Sequence, residues 1–138
     1  MTKSTVFTLE GVSQYITKEA LVSTLDELKM LIQNSNSKLY LSYVDEAFDK
    51  DPEVCFGEGY PGAVKRANLI KSLSEKVGEP WISFYNEAEI GDMLSQLGFV
   101  IQKNVTLEDL NPLYFGPVDR TLSEDQILKL EHLLIASN

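Results

Sequence analysis

A chain of 138 residues, 43% hydrophobic and 24% charged, can bury a sizeable core as one domain, which excludes disordered, collagen-like and fibrous readings. Its formal net charge of -9 opposes nucleic-acid binding, which rests on Lys and Arg neutralising phosphates. There is no apolar run long enough to span a bilayer and no apolar segment behind Met1-Thr2-Lys3-Ser4, so a cytoplasmic protein without a membrane partner is expected.

Thr5 to Leu9 is rich in β-branched and apolar residues and reads as a buried strand that stops at a Glu10-Gly11 turn. Thr17 is an N-cap candidate, and Leu21, Leu25, Leu28 and Ile32 recur at helical spacing behind it. Asn34 to Ser37 is a polar turn, and Lys38 to Val44 a strand with Asp45 at its carboxyl end. Strand, helix, strand implies a parallel crossover, which places Glu10 and Asp45 on one edge of the sheet, the edge at which open α/β sheets bind ligands.

Glu46 to Tyr60 reads as a loop, a connector or lid. The glycines at 57, 59 and 62 resemble a phosphate cradle only superficially, because the stretch lacks Gly-Lys-Ser/Thr and carries Glu53 and Glu58. Pro61 opens a second long helix with Val64, Ala67, Leu69, Ile70, Leu73 and Val77 as its apolar face, up to Gly78. Glu79 to Tyr85 is extended. Asn86 with Glu89 forms a capping-box-like start for a third helix, with Ile90, Met93, Leu94 and Leu97 inside and Gly98 as its stop. Phe99 to Val105 is the next strand, followed by a short helical turn from Thr106 that Asn111-Pro112 should break. The tail from Ser123 to Asn138 fits a helix or a terminal strand by periodicity alone. The lone Cys55 cannot form an internal disulfide or a cysteine metal site, and with a single histidine, His132, no metal site or Ser-His-Asp triad can be drawn.

Several stretches, taken in order, resemble the C-terminal half of the leucine carboxyl methyltransferase family, S-adenosylmethionine-dependent O-methyltransferases of class I fold. They are Phe7-Thr8-Leu9-Glu10-Gly11-Val12 with Gln14-Tyr15-Ile16-Thr17, then Gly78-Glu79-Pro80-Trp81, Leu97-Gly98-Phe99, and Asp109-Leu110-Asn111 with Tyr114. The resemblance implies an α/β fold, the second half of a Rossmann-like sheet with helices on both faces. Residues 5–9, 38–44, 99–105 and 131–136 would be its fourth, fifth, sixth and seventh strands, in spatial order fourth, fifth, seventh, sixth, with a brief helix near Ser123 to Leu128. Residues 1–138 would form one domain without the N-terminal half that carries the glycine-rich cofactor loop.

The resemblance also implies site residues. Glu10 would face the S-adenosylmethionine cofactor, the alternative being a turn carboxylate that caps backbone N–H groups. Tyr15 would be a substrate-pocket phenol or a core tyrosine, and Trp81 and Phe84 would line a substrate cap or simply pack. His132 would sit in the last strand as a structural histidine, the alternative being a base. No catalytic side chain is named, because an acceptor that is already a carboxylate needs alignment with the methyl sulfonium more than acid–base help. The chain would be inactive alone. Without a first strand beside it, Thr5 to Leu9 would be a long apolar edge, which invites either a homodimer or a complementary N-terminal half. On the same feature rests the alternative of a non-enzymatic interaction module.

Overall fold

A computed structural model describes residues 4–32, 36–56, 60–123 and 126–138. Its sheet is built from β1 (Val6–Leu9), β2 (Lys38–Val44), β3 (Val100–Val105) and β4 (Glu131–Ser137), in the order β1-β2-β4-β3. β1 and β2 are parallel, and β4 lies antiparallel between β2 and β3. This is the order expected of the second half of a Rossmann-like sheet, and the protein is α/β. The glycine phrase of part of the cradle and lid reading, at 57–59, lies outside the described residues, as do residues 124 and 125 of the expected brief helix.

Side chains alternate along a strand, and one face of the sheet carries the main core. Leu39, Leu41 and Tyr43 of β2 with Leu134 and Ala136 of β4 pack against Leu21, Leu25 and Ile32 of α1 (Lys18–Ile32) and Ile90 and Leu94 of α5 (Glu87–Gln96). Both helices start where expected. The Thr17 hydroxyl accepts from Ala20 N at 3.2 Å, and Asn86 Oδ1 accepts from Glu89 N at 2.8 Å. Glu89 does not complete the box, because its carboxylate pairs with Lys18 of α1. Gly98, at φ 77, stops α5.

Four expectations require correction. First, β1 is neither buried nor long: it has four residues, alternately exposed and half-buried, because only Phe7 and Leu9 face the core. Second, the segment after β2 is helical, with α2 (Ala47–Lys50) and α3 (Pro52–Cys55). Asp45 Oδ1 accepts from Ala47 N at 2.8 Å, Pro52 opens α3, and Phe48 and Cys55 are buried, so packing and one side-chain cap order what composition marks as loop. Third, α4 (Ala63–Lys76) buries only Ala63 and Ala67 fully, while Val64, Leu69, Leu73 and Val77 of its expected inner face are exposed. Fourth, α6 (Leu107–Tyr114) continues through Pro112. Its Thr106–Asp109 capping box secures the start, and the buried Asn111 anchors its middle by donating to Leu122 O and accepting from Leu122 N. That anchoring offsets the one helical hydrogen bond that proline removes.

Residues 46–56 and 60–85 form a cap over the carboxyl ends of β1 and β2. Its own small core joins Phe48, Cys55, Phe56, Ala63 and Ala67 to Val44 at the end of β2. Among the described residues no helix is long and apolar enough to cross a membrane.

Candidate functional site

The carboxyl end of β1 turns sharply at Gly11, whose φ of 64 is a conformation that side chains other than glycine's resist. Ser42 of β2 holds the turn: its hydroxyl accepts from Gly11 N at 2.9 Å, and its carbonyl accepts from the Ser13 hydroxyl at 2.9 Å. The following turn of 3-10 helix, Ser13–Tyr15, then docks against the extended end of the cap. Gln14 O accepts from Ile82 N at 2.8 Å, and the Ser83 hydroxyl donates to Ile16 O at 2.6 Å. Further on, Tyr85 N donates to Val44 O at 3.0 Å. One short segment thus ties the ends of β1 and β2 together.

These ties bring three of the four expected residues to one place. Tyr15 meets Trp81 edge-on at 6.4 Å between ring centres. Trp81 packs on Phe48 at 5.2 Å, and Phe84 stacks on the same ring at 5.9 Å. Tyr15 is 38% exposed, and with Gly78, Glu79 and Pro80 it lines an open depression of ≈ 390 Å³. Phe48 was not among the expected residues; it is the ring on which Trp81 and Phe84 converge, and its only sequence signal was an aromatic inside an apparent loop.

Glu10 stands apart. It is exposed, and among the described residues it has neither a hydrogen bond nor an ion pair. Nor does it cap the turn, since Ser42 already takes Gly11 N. Its charge is felt by Tyr40 of β2, whose phenol is held above its ordinary pKa by burial first and then by Glu10 and Glu131.

A second polar group sits at the end of β2. Asp45 Oδ2 and His132 Nε2 are 2.9 Å apart, while the His132 ring stacks on Tyr43 at 4.7 Å between centres. Asn104 Nδ2 donates to the Tyr43 hydroxyl at 2.8 Å. The sheet register explains the meeting, because His132 lies directly opposite Tyr43. Burial pushes the Tyr43 phenol up to about 12; Tyr43 belongs to the core, while His132, Asp45 and Asn104 are half-buried at its margin. Other grooves, such as one of ≈ 440 Å³ between α1 and α5, include none of the expected site residues. No group of three or more His, Cys, Asp or Glu could hold a metal among the described residues.

No protein-family model matches the chain. Over 128 residues, 93% of its length, the chain is 26% identical to a protein of Bacillus subtilis (strain 168) named "Putative S-adenosyl-L-methionine-dependent methyltransferase YktD". It spans 39% of that relative, so the similarity is to one part of a much longer methyltransferase-like protein.

Proposed function

We propose that the chain is the C-terminal part of an S-adenosylmethionine-dependent O-methyltransferase with a carboxyl-type acceptor, and that it does not catalyse alone. The observation that carries this reading is the sheet order β1-β2-β4-β3 with an antiparallel β4 in the interior, together with a cap inserted after β2. The similarity to part of that longer Bacillus subtilis relative supports the methyltransferase part of this reading. So do the apolar side chains left outside α4, which suit a body that continues beyond this chain.

The residues present do not make a complete bed for the cofactor. Glu10 offers one free carboxylate at the end of β1, suited to a cationic group, and the Tyr15–Trp81–Phe84 wall offers apolar surface to an acceptor. The sequence carries no glycine-rich loop directly after a strand and so nothing to cradle the rest of such a cofactor. No chemical step is assigned to this chain by itself. Its contribution would be to position an acceptor and to exclude water from it once the opposite wall is supplied.

Calorimetry of the pure chain with S-adenosylmethionine should give no micromolar binding, and binding at that level would overturn the inactivity. Mixing the chain with a glycine-rich half encoded beside it should restore methyl transfer to a carboxylate. The same open edge favours a second reading, a non-enzymatic module that adds a partner strand to β1, because β1 pairs with β2 on one side and with no described strand on the other.

A further inference from the structure

The two helices that cover the sheet present an acidic groove to solvent. α1 and α5 lie side by side and point the same way, since Lys18 meets Glu89 near their starts and Lys29 donates to Gly98 O just past the end of α5. Together they carry six carboxylates and two lysines, and both lysines are engaged in those contacts. Between the helices the groove runs in two stretches of ≈ 440 and ≈ 580 Å³ that share Val22 and Leu97. Val22, Met93 and Leu97 give it an apolar floor. Glu19 and Asp26 stand on the α1 side and Asp92 on the α5 side, all exposed and without an ion pair among the described residues.

α4 has the opposite character. In a chain of net charge -9 it holds four cations and one carboxylate, and among the described helices it alone is net positive. At about 3.6 residues per turn, Lys65, Arg66, Leu69, Leu73 and Lys76 share roughly a third of its circumference. This is the side turned away from the buried Ala63 and Ala67. Leu69 is 48% and Leu73 51% exposed. Lys65, Arg66 and Lys76 are exposed and have no ion pair among the described residues, whereas Lys71, off this row, is held by Asp49. The carboxylate of the helix, Glu75, falls about 130° round from the middle of the row. Two leucines a turn apart on a cationic face, and an apolar floor between acidic walls, are the two halves of a helix-in-groove contact. Ala63 and Ala67 fix α4 in the cap of its own chain, so the helix that fills the groove comes from a second copy.

We infer that the chain associates with itself head to tail, α4 of one copy lying in the α1–α5 groove of the next. Leu69 and Leu73 rest on the floor of Val22, Met93 and Leu97, and the α4 cations meet the carboxylates of the walls. The contact joins two unlike surfaces, so nothing in it requires the association to stop at two copies. Two leucine anchors and exposed ion pairs make it weak, filled at about 100 micromolar and open at about 1 micromolar. It goes beyond the methyltransferase reading and does not depend on it, and it competes with a missing half of the enzyme for Leu69 and Leu73.

Sedimentation velocity at about 0.1 M salt is the test, because charges more than about 10 Å apart are then largely screened while contact pairs are not. The weight-average mass should rise between about 1 and about 100 micromolar. Leu69→Asp, with an unchanged circular dichroism spectrum, should remain monomeric. Asp26→Lys with Asp92→Lys should weaken the association about tenfold, although it lowers the net negative charge that keeps copies apart. Lys65→Glu with Lys76→Glu should weaken it by about as much. Mixed, the two double variants should associate as the unaltered chain does, because each helix then meets a groove of opposite sign. A chain that stays monomeric at about 100 micromolar would overturn the inference and leave α4 to the missing half. An association that survives either double reversal, or that the mixture does not restore, would overturn it as well.

Discussion

Burial holds the Cys55 thiol up to about 12 from an ordinary 9.0, as it holds the Tyr43 phenol at about 12 from 10.0. Both groups keep their proton more tightly in the folded chain than in the unfolded one. The unfolded state therefore releases protons first as pH rises, and stability falls with pH in that range. It should be intact below about pH 9 and be lost progressively toward about pH 12. Urea midpoints measured across that range should decline, and Cys55→Ala should remove the part of the decline that begins near pH 9, where the free thiol ionises. A flat profile would mean that neither group is buried as described. The same burial predicts that a thiol reagent at mildly alkaline pH labels Cys55 only after unfolding.

The elements differ in how much of them the rest of the chain covers. Leu25 of α1 is fully buried against the sheet, whereas Leu73 of α4 is 51% exposed although both occupy apolar positions of an amphipathic helix. Leu25→Ala should cost about 2 to 5 kcal/mol in urea unfolding, and Leu73→Ala about 0.5 kcal/mol or less. Equal costs would show that the outer face of α4 is covered. This pair also marks what was legible in the sequence. The starts of α1 and α5 and the stop of α5 were readable because Thr17, Asn86 and Gly98 act on backbone groups within one turn of themselves. The apolar spacing of α4 was readable too, but spacing says only which side chains share a face, and nothing about whether anything lies against it. The ordering of α2 and α3 depends on Asp45 and on the burial of Phe48, and the passage of α6 through Pro112 depends on Asn111 reaching Leu122, eleven residues on. Both are decided by contacts that no local window contains. The candidate site divides the same way. Tyr15 and Trp81 were named by resemblance, while Phe48 beneath Trp81 came to light only once the cap had a fold.

At the scale of the molecule the described residues form two cores, one between the sheet and α1 and α5, the other inside the cap, where Phe48, Phe56 and Ala67 gather around Val44. The smaller core has fewer buried side chains and is built mainly from short helices, so it should open more readily than the sheet. Amide hydrogen exchange should show residues of α2, α3 and α4 exchanging well before those of β2 and β4, and uniform protection would mean that cap and sheet unfold as one unit. The interior position of β4 has a different consequence, for the order of events in time. β2 and β3 do not touch one another in the sheet; each is paired to β4, whose residues are made after both. Until residue 137 has left the ribosome, the earlier strands hold an open slot with unpaired backbone on either side. The β1–β2 pair can form earlier, but joining it to β3 waits for β4, and while the residues between β3 and the end of β4 are being made the growing chain carries a slot that other nascent strands can enter.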